Sequence, residues 1–308
     1  MLREDRYRKR MMLGQDGNSL VILLVILAVV FCIFKFILIA LWMSGMTETE
    51  LDIAFRQNIF NWFNLPANLN TLLTRPWTVI TYMFMHDGVW HFLGNVLWLW
   101  AFGYILQDLT GNGKLIPIFL YGGFAGALIF LLTYNIIPRL PVAGTTLEGA
   151  SAGVMAVAIA TTVLAPNYRI FPMLNGGIPL WVLTIIFIII DFASIPVSNT
   201  GGHIAHLAGA AMGFVFIKQL QKGSDWSGWI NKFFDWVANL FNPDKKEWKK
   251  TARQNYYYKT EGTQPFTKIP NITQKRVDDI LDKINQRGYR SLTDEEKEIL
   301  KRASEADN

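Results

Sequence analysis

The sequence predicts an all-α membrane protein, a bundle of six transmembrane helices followed by a small helical cytoplasmic tail. Three observations carry this. Of the 308 residues, 51% are hydrophobic and only 17% charged, against about 25% in soluble domains. Between Trp90 and Phe216 the only Asp, Glu, Lys and Arg residues are Asp108, Lys114, Arg139, Glu148, Arg169 and Asp191, too few for a water-facing surface. The net charge of +5 gathers at the two ends. That distribution suits membrane orientation rather than nucleic-acid binding, since no basic stripe interleaves with aromatic residues in the middle. A single cysteine, Cys32, excludes an intramolecular disulfide framework and a Cys-based zinc cluster.

The elements follow in order. Residues 1–19 form a basic N-terminus with Arg3, Arg6, Arg8, Lys9 and Arg10. The membrane domain covers 20–220, with apolar spans at Leu20–Met43, Trp90–Leu106, Leu115–Ile137, Gly149–Ala165, Ile178–Ile195 and Gly202–Leu220. The first is too long for a cleaved signal peptide. An external loop, 44–89, mixes Trp62, Phe63, Trp77, Tyr82 and Phe84 with few charges and is expected to lie in the interface. Over 221–242, Trp226, Trp229, Ile230, Phe233, Val237, Leu240 and Phe241 recur at helical spacing, as in an amphipathic helix on the inner leaflet. A polar linker (243–270) leads to a helical module at 271–308. There Val277, Ile280, Leu281 and Ile284 precede a stop at Gly288, and Thr293 and Glu296 form a capping-box pattern. That module is small enough to call for a cytoplasmic partner.

Basic residues at the N-terminus place it in the cytoplasm, and an even number of spans returns the C-terminus there, where Lys218, Lys222, Lys232, Lys245 and Lys246 follow. A positive N-terminus without transit-peptide character fits a multi-pass protein of a bacterial plasma membrane. Spans two, four and six then all enter from the outer face, so residues early in each share one depth. The unusual polar residues lie there: His91 and Asn95, Ser151, and His203 with His206. Polar groups inside a bilayer are costly and are candidates for function. Lys35, in the middle of span one, has no assigned role at this level.

Ser151 stands in Gly149-Ala150-Ser151-Ala152-Gly153 at the outer end of span four. Small residues with serine are common packing elements of membrane helices, so a nucleophile needs a base beside it. Span six carries a stripe of small residues, Gly201, Ala205, Gly209 and Gly213, beside His206, and span four a matching one, Ala152, Ala156 and Ala160. Close packing of the two stripes would bring Ser151 and His206 together as an activated nucleophile. His91 and Asn95, four residues apart on one face, can donate to a developing oxyanion together with the Ser151 backbone N–H. A metal site of His91, His203 and His206 is the competing reading, disfavoured because only Glu148 and Asp191 supply carboxylates near that depth. No metal or cofactor is expected. His86 is expected to organise its loop rather than react.

These residues resemble the rhomboid serine proteases over Pro76 to Leu220. His91-Phe92-Leu93-Gly94-Asn95 resembles the family's His-x-x-x-Asn oxyanion element, and Gly149-Ala150-Ser151 its Gly-x-Ser nucleophile motif. His206, followed by Gly209 and Gly213, resembles the His-x-x-Gly-x-x-x-Gly base helix, a spacing that selects His206 over His203. Three positions depart from the pattern: Ala152 where many members have glycine, Thr78 where an arginine usually follows Trp77, and Met155 where some members place an aromatic residue. The resemblance implies a six-span rhomboid-like bundle with packing glycines Gly149, Gly153, Gly209 and Gly213. It implies acyl transfer to Ser151 with His206 as general base and acid, with no third carboxylate required. The implied substrate is a membrane protein with a transmembrane segment, and the implied lid is span five with the loop Phe192 to Gly202. A catalytically silent rhomboid-like scaffold that binds transmembrane segments is the alternative. A histidine-lined transporter lacks internal repeats and a polar path through the inner halves of spans two, four and six.

Overall fold

A computed structural model describes residues 18–171, 173, 176–238, 240 and 274–306. Most of the expected basic N-terminus, the linker 243–270 and the first residues of the tail module lie outside this set. The chain divides into two compact units, Met1–Ala238 and Asn239–Asn308.

The first unit is built on six apolar helices: α1 (Ser19–Met43), α2 (Val89–Thr110), α3 (Leu115–Ile136), α4 (Ser151–Leu164), α5 (Leu180–Ser194) and α6 (Thr200–Gln221). Four are long and apolar enough to cross a membrane, while α4 and α5, of 14 and 15 residues, are shorter. At 1.5 Å per residue α4 spans only about 21 Å, against a hydrocarbon core of about 30 Å. Its length is explained by its position. Every residue from Ala152 to Thr162 is buried, so α4 is a central post wrapped by other helices and need not match the thickness of lipid. The outer helices turn apolar side chains outward instead, among them Phe36 and Trp42 on α1 and Ile189 and Phe192 on α5. That inversion of the usual surface marks an integral membrane protein.

Small residues set the spacing around the post. A Cβ on Gly209 would lie 2.1 Å from the Ala152 carbonyl oxygen, and one on Gly213 2.2 Å from that of Ala156, so α6 touches α4 backbone to backbone. The rest of the span-six stripe faces elsewhere, for Gly201 abuts the rings of Phe130 and Tyr134 on α3. Gly153 likewise serves α3, lying against Phe119. Farther out, α1 buries only Leu20, Leu23 and Leu27 among its own residues and stacks Phe31 on Phe92 of α2 at 4.2 Å.

The connection between α1 and α2 is folded. It contains short helices at Glu48–Asp52, Leu69–Thr74 and Thr78–Thr81, and its strand β1 (Leu65–Pro66) pairs antiparallel with β2 (Thr146–Leu147), just ahead of α4. Lys35 on α1 finds its role here: its ammonium donates to the Asp87 carbonyl and lies 3.8 Å from the Asp87 carboxylate, which also binds Arg56. A second hairpin, β3 (Arg169–Ile170) with β4 (Ile178–Pro179), leads into α5.

After α6, helix α7 (Gly228–Ala238) docks on the start of α3, at the end of the bundle remote from the span-six histidines. Trp229 donates to the Tyr121 hydroxyl, Asn231 to the Gly113 carbonyl at 2.9 Å, and Ile230 is buried. Burial pushes the Asp225 carboxyl up, but the Lys114 ammonium bound to it, with the Ser227 hydroxyl and N–H, brings it down to about 2. The second unit is a helical hairpin, α8 (Gln274–Arg287) and α9 (Asp294–Ala306), closed over Ile280, Leu292 and Ile299. Glu296 accepts from the Thr293 N–H while Thr293 Oγ accepts from the Glu296 N–H, and Lys283 adds an ion pair at 2.8 Å.

Candidate active site

The turn before α4 decides where Ser151 stands. Gly149 has φ +111°, a conformation reserved for glycine, and a Cβ there would lie 2.8 Å from the His91 ring. Gly149 is therefore a loop residue against His91, not a helix-packing residue as its motif implied, and the helix starts at Ser151. The turn is pinned from behind. Gly149 N–H donates to the Tyr82 carbonyl at 2.9 Å and Ala150 N–H to His86 Nε2 at 3.3 Å. His86 Nδ1–H in turn donates to the Phe84 carbonyl at 3.3 Å. Burial, with His91 beside it, pushes the His86 pKa down to about 3, so the ring is neutral and its Nε2 lone pair is available to Ala150.

Glu148 closes the same turn. It accepts from the Asp87 N–H at 3.3 Å and from Asn64 Nδ2 at 3.0 Å. Burial and the nearby Asp87 carboxylate raise its pKa to about 7 against the opposing pull of those donors and Arg56.

On the other side of α4, the entry to α6 is set by Asn199. Its backbone is left-handed at φ +44°, and its side chain caps the helix by accepting from the Gly202 N–H at 3.2 Å. One turn later His203 and His206 follow. Both direct Nδ1 at the same carboxylate oxygen, Asp191 Oδ1 on α5, at 2.8 and 2.9 Å. Asp191 is only 6% exposed. These three ligand atoms lie within 4.8 Å of one another and form the group among the described residues that has the spacing to hold a metal ion.

Ser151, His206, His91 and Asn95 line a single cavity of about 320 Å³, with Asp191, Met155, Trp98 and Phe187 also in its wall. His203 is not in that wall. A second, more polar cavity of about 830 Å³, bordered by Arg56, Asn64, Arg75 and Glu148, shares His91 with the first. Ser151 heads α4, where the first backbone N–H groups have no intrahelical partner and the helix dipole is positive. Asn95 donates one of its amide hydrogens to the His91 carbonyl at 2.9 Å, leaving the other for the cavity. Met155 packs with Ile159 and Ala210.

Several of these contacts escaped the sequence. The sequence places Asp191 near the depth of the histidines without pairing it with them, although a lone charge in an otherwise uncharged α5 is itself a signal. Thr78, at the position expected to carry a cation, instead donates to the Arg75 carbonyl at 2.7 Å. Nearby, the Arg75 guanidinium sits 3.9 Å over the Trp62 ring, which stacks on Trp77.

A ring of outward-facing apolar helices around a buried, glycine-packed post, with a cavity at one end of it into which a few polar side chains are set, defines an integral membrane protein. Residues 73–222 match the rhomboid domain, so the chain carries a rhomboid domain. Residues 270–306 match a separate family of unknown function, DUF6576. The chain is 31% identical over 153 residues to Rhomboid-related protein 1 of Caenorhabditis elegans, covering 46% of this chain and 38% of that protein. It is 26% identical over 168 residues to the Rhomboid protease GluP of Bacillus subtilis (strain 168), covering 54% and 29%. It is also 26% identical over 207 residues to RHOMBOID-like protein 12, mitochondrial, of Arabidopsis thaliana, covering 59% and 62%. The chain thus spans less than two thirds of the length of each of these relatives.

Proposed function

We propose that this protein is an intramembrane serine endopeptidase that cuts transmembrane segments of other membrane proteins. The observation that carries this reading is the cavity shared by Ser151, His206, His91 and Asn95. Relatives named as rhomboid proteases support it. Ser151 Oγ attacks the scissile carbonyl carbon as its proton passes to His206, and a C–O bond forms. The oxyanion accepts from the Ser151 N–H, His91 and Asn95. His206 then gives the proton to the departing amine as the C–N bond breaks. Water, deprotonated by His206, releases the acyl group and returns the proton to Ser151. The adjoining polar cavity at His91 is where water enters an otherwise apolar site.

In this reading all six apolar helices lie across the bilayer, with both termini in the cytoplasm and the cavity toward the outer side. The contact of Trp98 on α2 with Phe187 on α5, at 4.8 Å between ring centroids, forms the seam through which a substrate helix enters. The test is cleavage of a model single-span membrane protein by the full chain in detergent. Wild type cleaves, Ser151→Ala and His206→Ala do not, and His203→Ala retains cleavage. Activity surviving Ser151→Ala overturns the mechanism. No cleavage by wild type of several substrates would shift the weight to a silent transmembrane-segment binder instead.

A further inference from the structure

We propose that Asp191 is a positioning residue for the base: it holds His206 by Nδ1 so that Nε2 is the nitrogen presented to Ser151. This deepens the protease reading and rests on it. The motifs place the base and the nucleophile on α6 and α4, and the third participant comes from α5.

Three observations converge. First, Asp191 is the only acidic or basic residue of α5, and it is buried among apolar side chains. A carboxylate in such a place is costly unless hydrogen-bonded. Second, the hydrogen bonds it receives come from His206 and His203, at 2.9 and 2.8 Å, both into Oδ1. An acceptor-only carboxylate requires each imidazole to carry its proton on Nδ1, which leaves the Nε2 lone pair of His206 free to take the serine proton. Third, His206 and Asp191 line the cavity with Ser151, whereas His203 does not. His203 therefore steadies the carboxylate, and His206 faces the reaction.

The carboxylate has a second effect during turnover. When His206 takes the proton from Ser151 it becomes an imidazolium, and the adjacent anion stabilises that charge in a site of low dielectric. The contact lengths are those of hydrogen bonds. A tetrahedral metal with bonds of about 2.0–2.1 Å would hold its ligand atoms about 3.3 Å apart.

The test uses the full chain in detergent with a single-span substrate. Asp191→Asn keeps the shape but presents an amide that does not enforce the same tautomer. It should lower kcat by about a hundredfold or more while KM stays within about twofold, because the lost interaction acts in the transition state. The thermal unfolding midpoint should stay near that of wild type, which separates positioning from a merely structural clasp. If Asn also weakens the fold, Asp191→Ala assayed with and without formate decides. Recovery of kcat by the added carboxylate supports the assignment, and no recovery in a folded variant overturns it. Wild-type kcat in Asp191→Asn overturns it as well, and so does loss of wild-type activity to a chelator with restoration by zinc, which would make the triplet a metal site. If Ser151→Ala and His206→Ala are inactive while Asp191→Asn is not, the positioning role fails and the protease reading stands. If wild type cleaves nothing, both fall together.

Discussion

Gly209→Ala tests the packing that brings the base to the nucleophile. The added Cβ would sit 2.1 Å from the Ala152 carbonyl oxygen and 2.8 Å from its carbon, both backbone atoms that no rotamer change can move aside. A carbon approaches a carbonyl oxygen comfortably at about 3.3 Å, so α4 and α6 must separate locally by about 1.2 Å. Overpacking of this kind costs about 1–3 kcal/mol of stability. The catalytic loss is larger. Gly209 lies one turn beyond His206 and Ala152 directly follows Ser151, so the shift falls on the nucleophile and the base. A misplacement of about 1 Å costs on the order of a hundredfold in rate. The assay is single-span substrate cleavage by the purified protein beside thermal unfolding in the same detergent. Gly228→Ala, where a Cβ meets nothing within 4 Å, is the control and should leave both unchanged. A Gly209→Ala variant with wild-type kcat and midpoint would refute the claim that this contact sets the site.

The loop behind Ser151 gives two further predictions. Glu148 keeps its proton to about pH 7 in the folded protein, whereas the unfolded chain releases it near 4.5. The stability this provides is complete below 4.5 and is lost as pH rises to 7, by about 3 kcal/mol. The unfolding midpoint of wild type minus that of Glu148→Gln should fall over that interval, and a flat difference would contradict the assignment. His86 has the opposite slope, since it stays neutral down to about 3 while the unfolded ring protonates near 6.5. Relative to His86→Phe, wild type should lose stability as pH falls below 6.5. At neutral pH that substitution leaves the Ala150 N–H without its acceptor, a loss of about 1–3 kcal/mol, and kcat should fall with it.

The membrane class was legible because it rests on composition and on runs of apolar residues, properties of the chain that need no partner. The rhomboid resemblance was legible for the same reason: its motifs lie within single helices, where spacing alone places His91 and Asn95, or Gly209 and Gly213, on one face. The same logic leaves out details that depend on neighbours. Four of the six apolar helices have the length to cross a membrane unaided, and α4, the shortest, is shielded from lipid by other helices, which hydropathy does not record. Gly149 proved to be a turn residue because the conformation ahead of Ser151 is set by contact with His91, far away in sequence.

By itself, then, the sequence determined the solvent in which this protein folds, the rhomboid resemblance and the helices that carry the candidate chemistry. Tertiary structure alone decided which polar groups meet: Asp191 with His203 and His206, His86 with the Ala150 N–H, Lys35 with Asp87, and Arg75 with Trp62. The physical reason is that periodicity encodes the face of a helix but not the neighbour it faces. A buried charge or an unpaired N–H declares in sequence that it needs a partner, and only the packed fold can supply one.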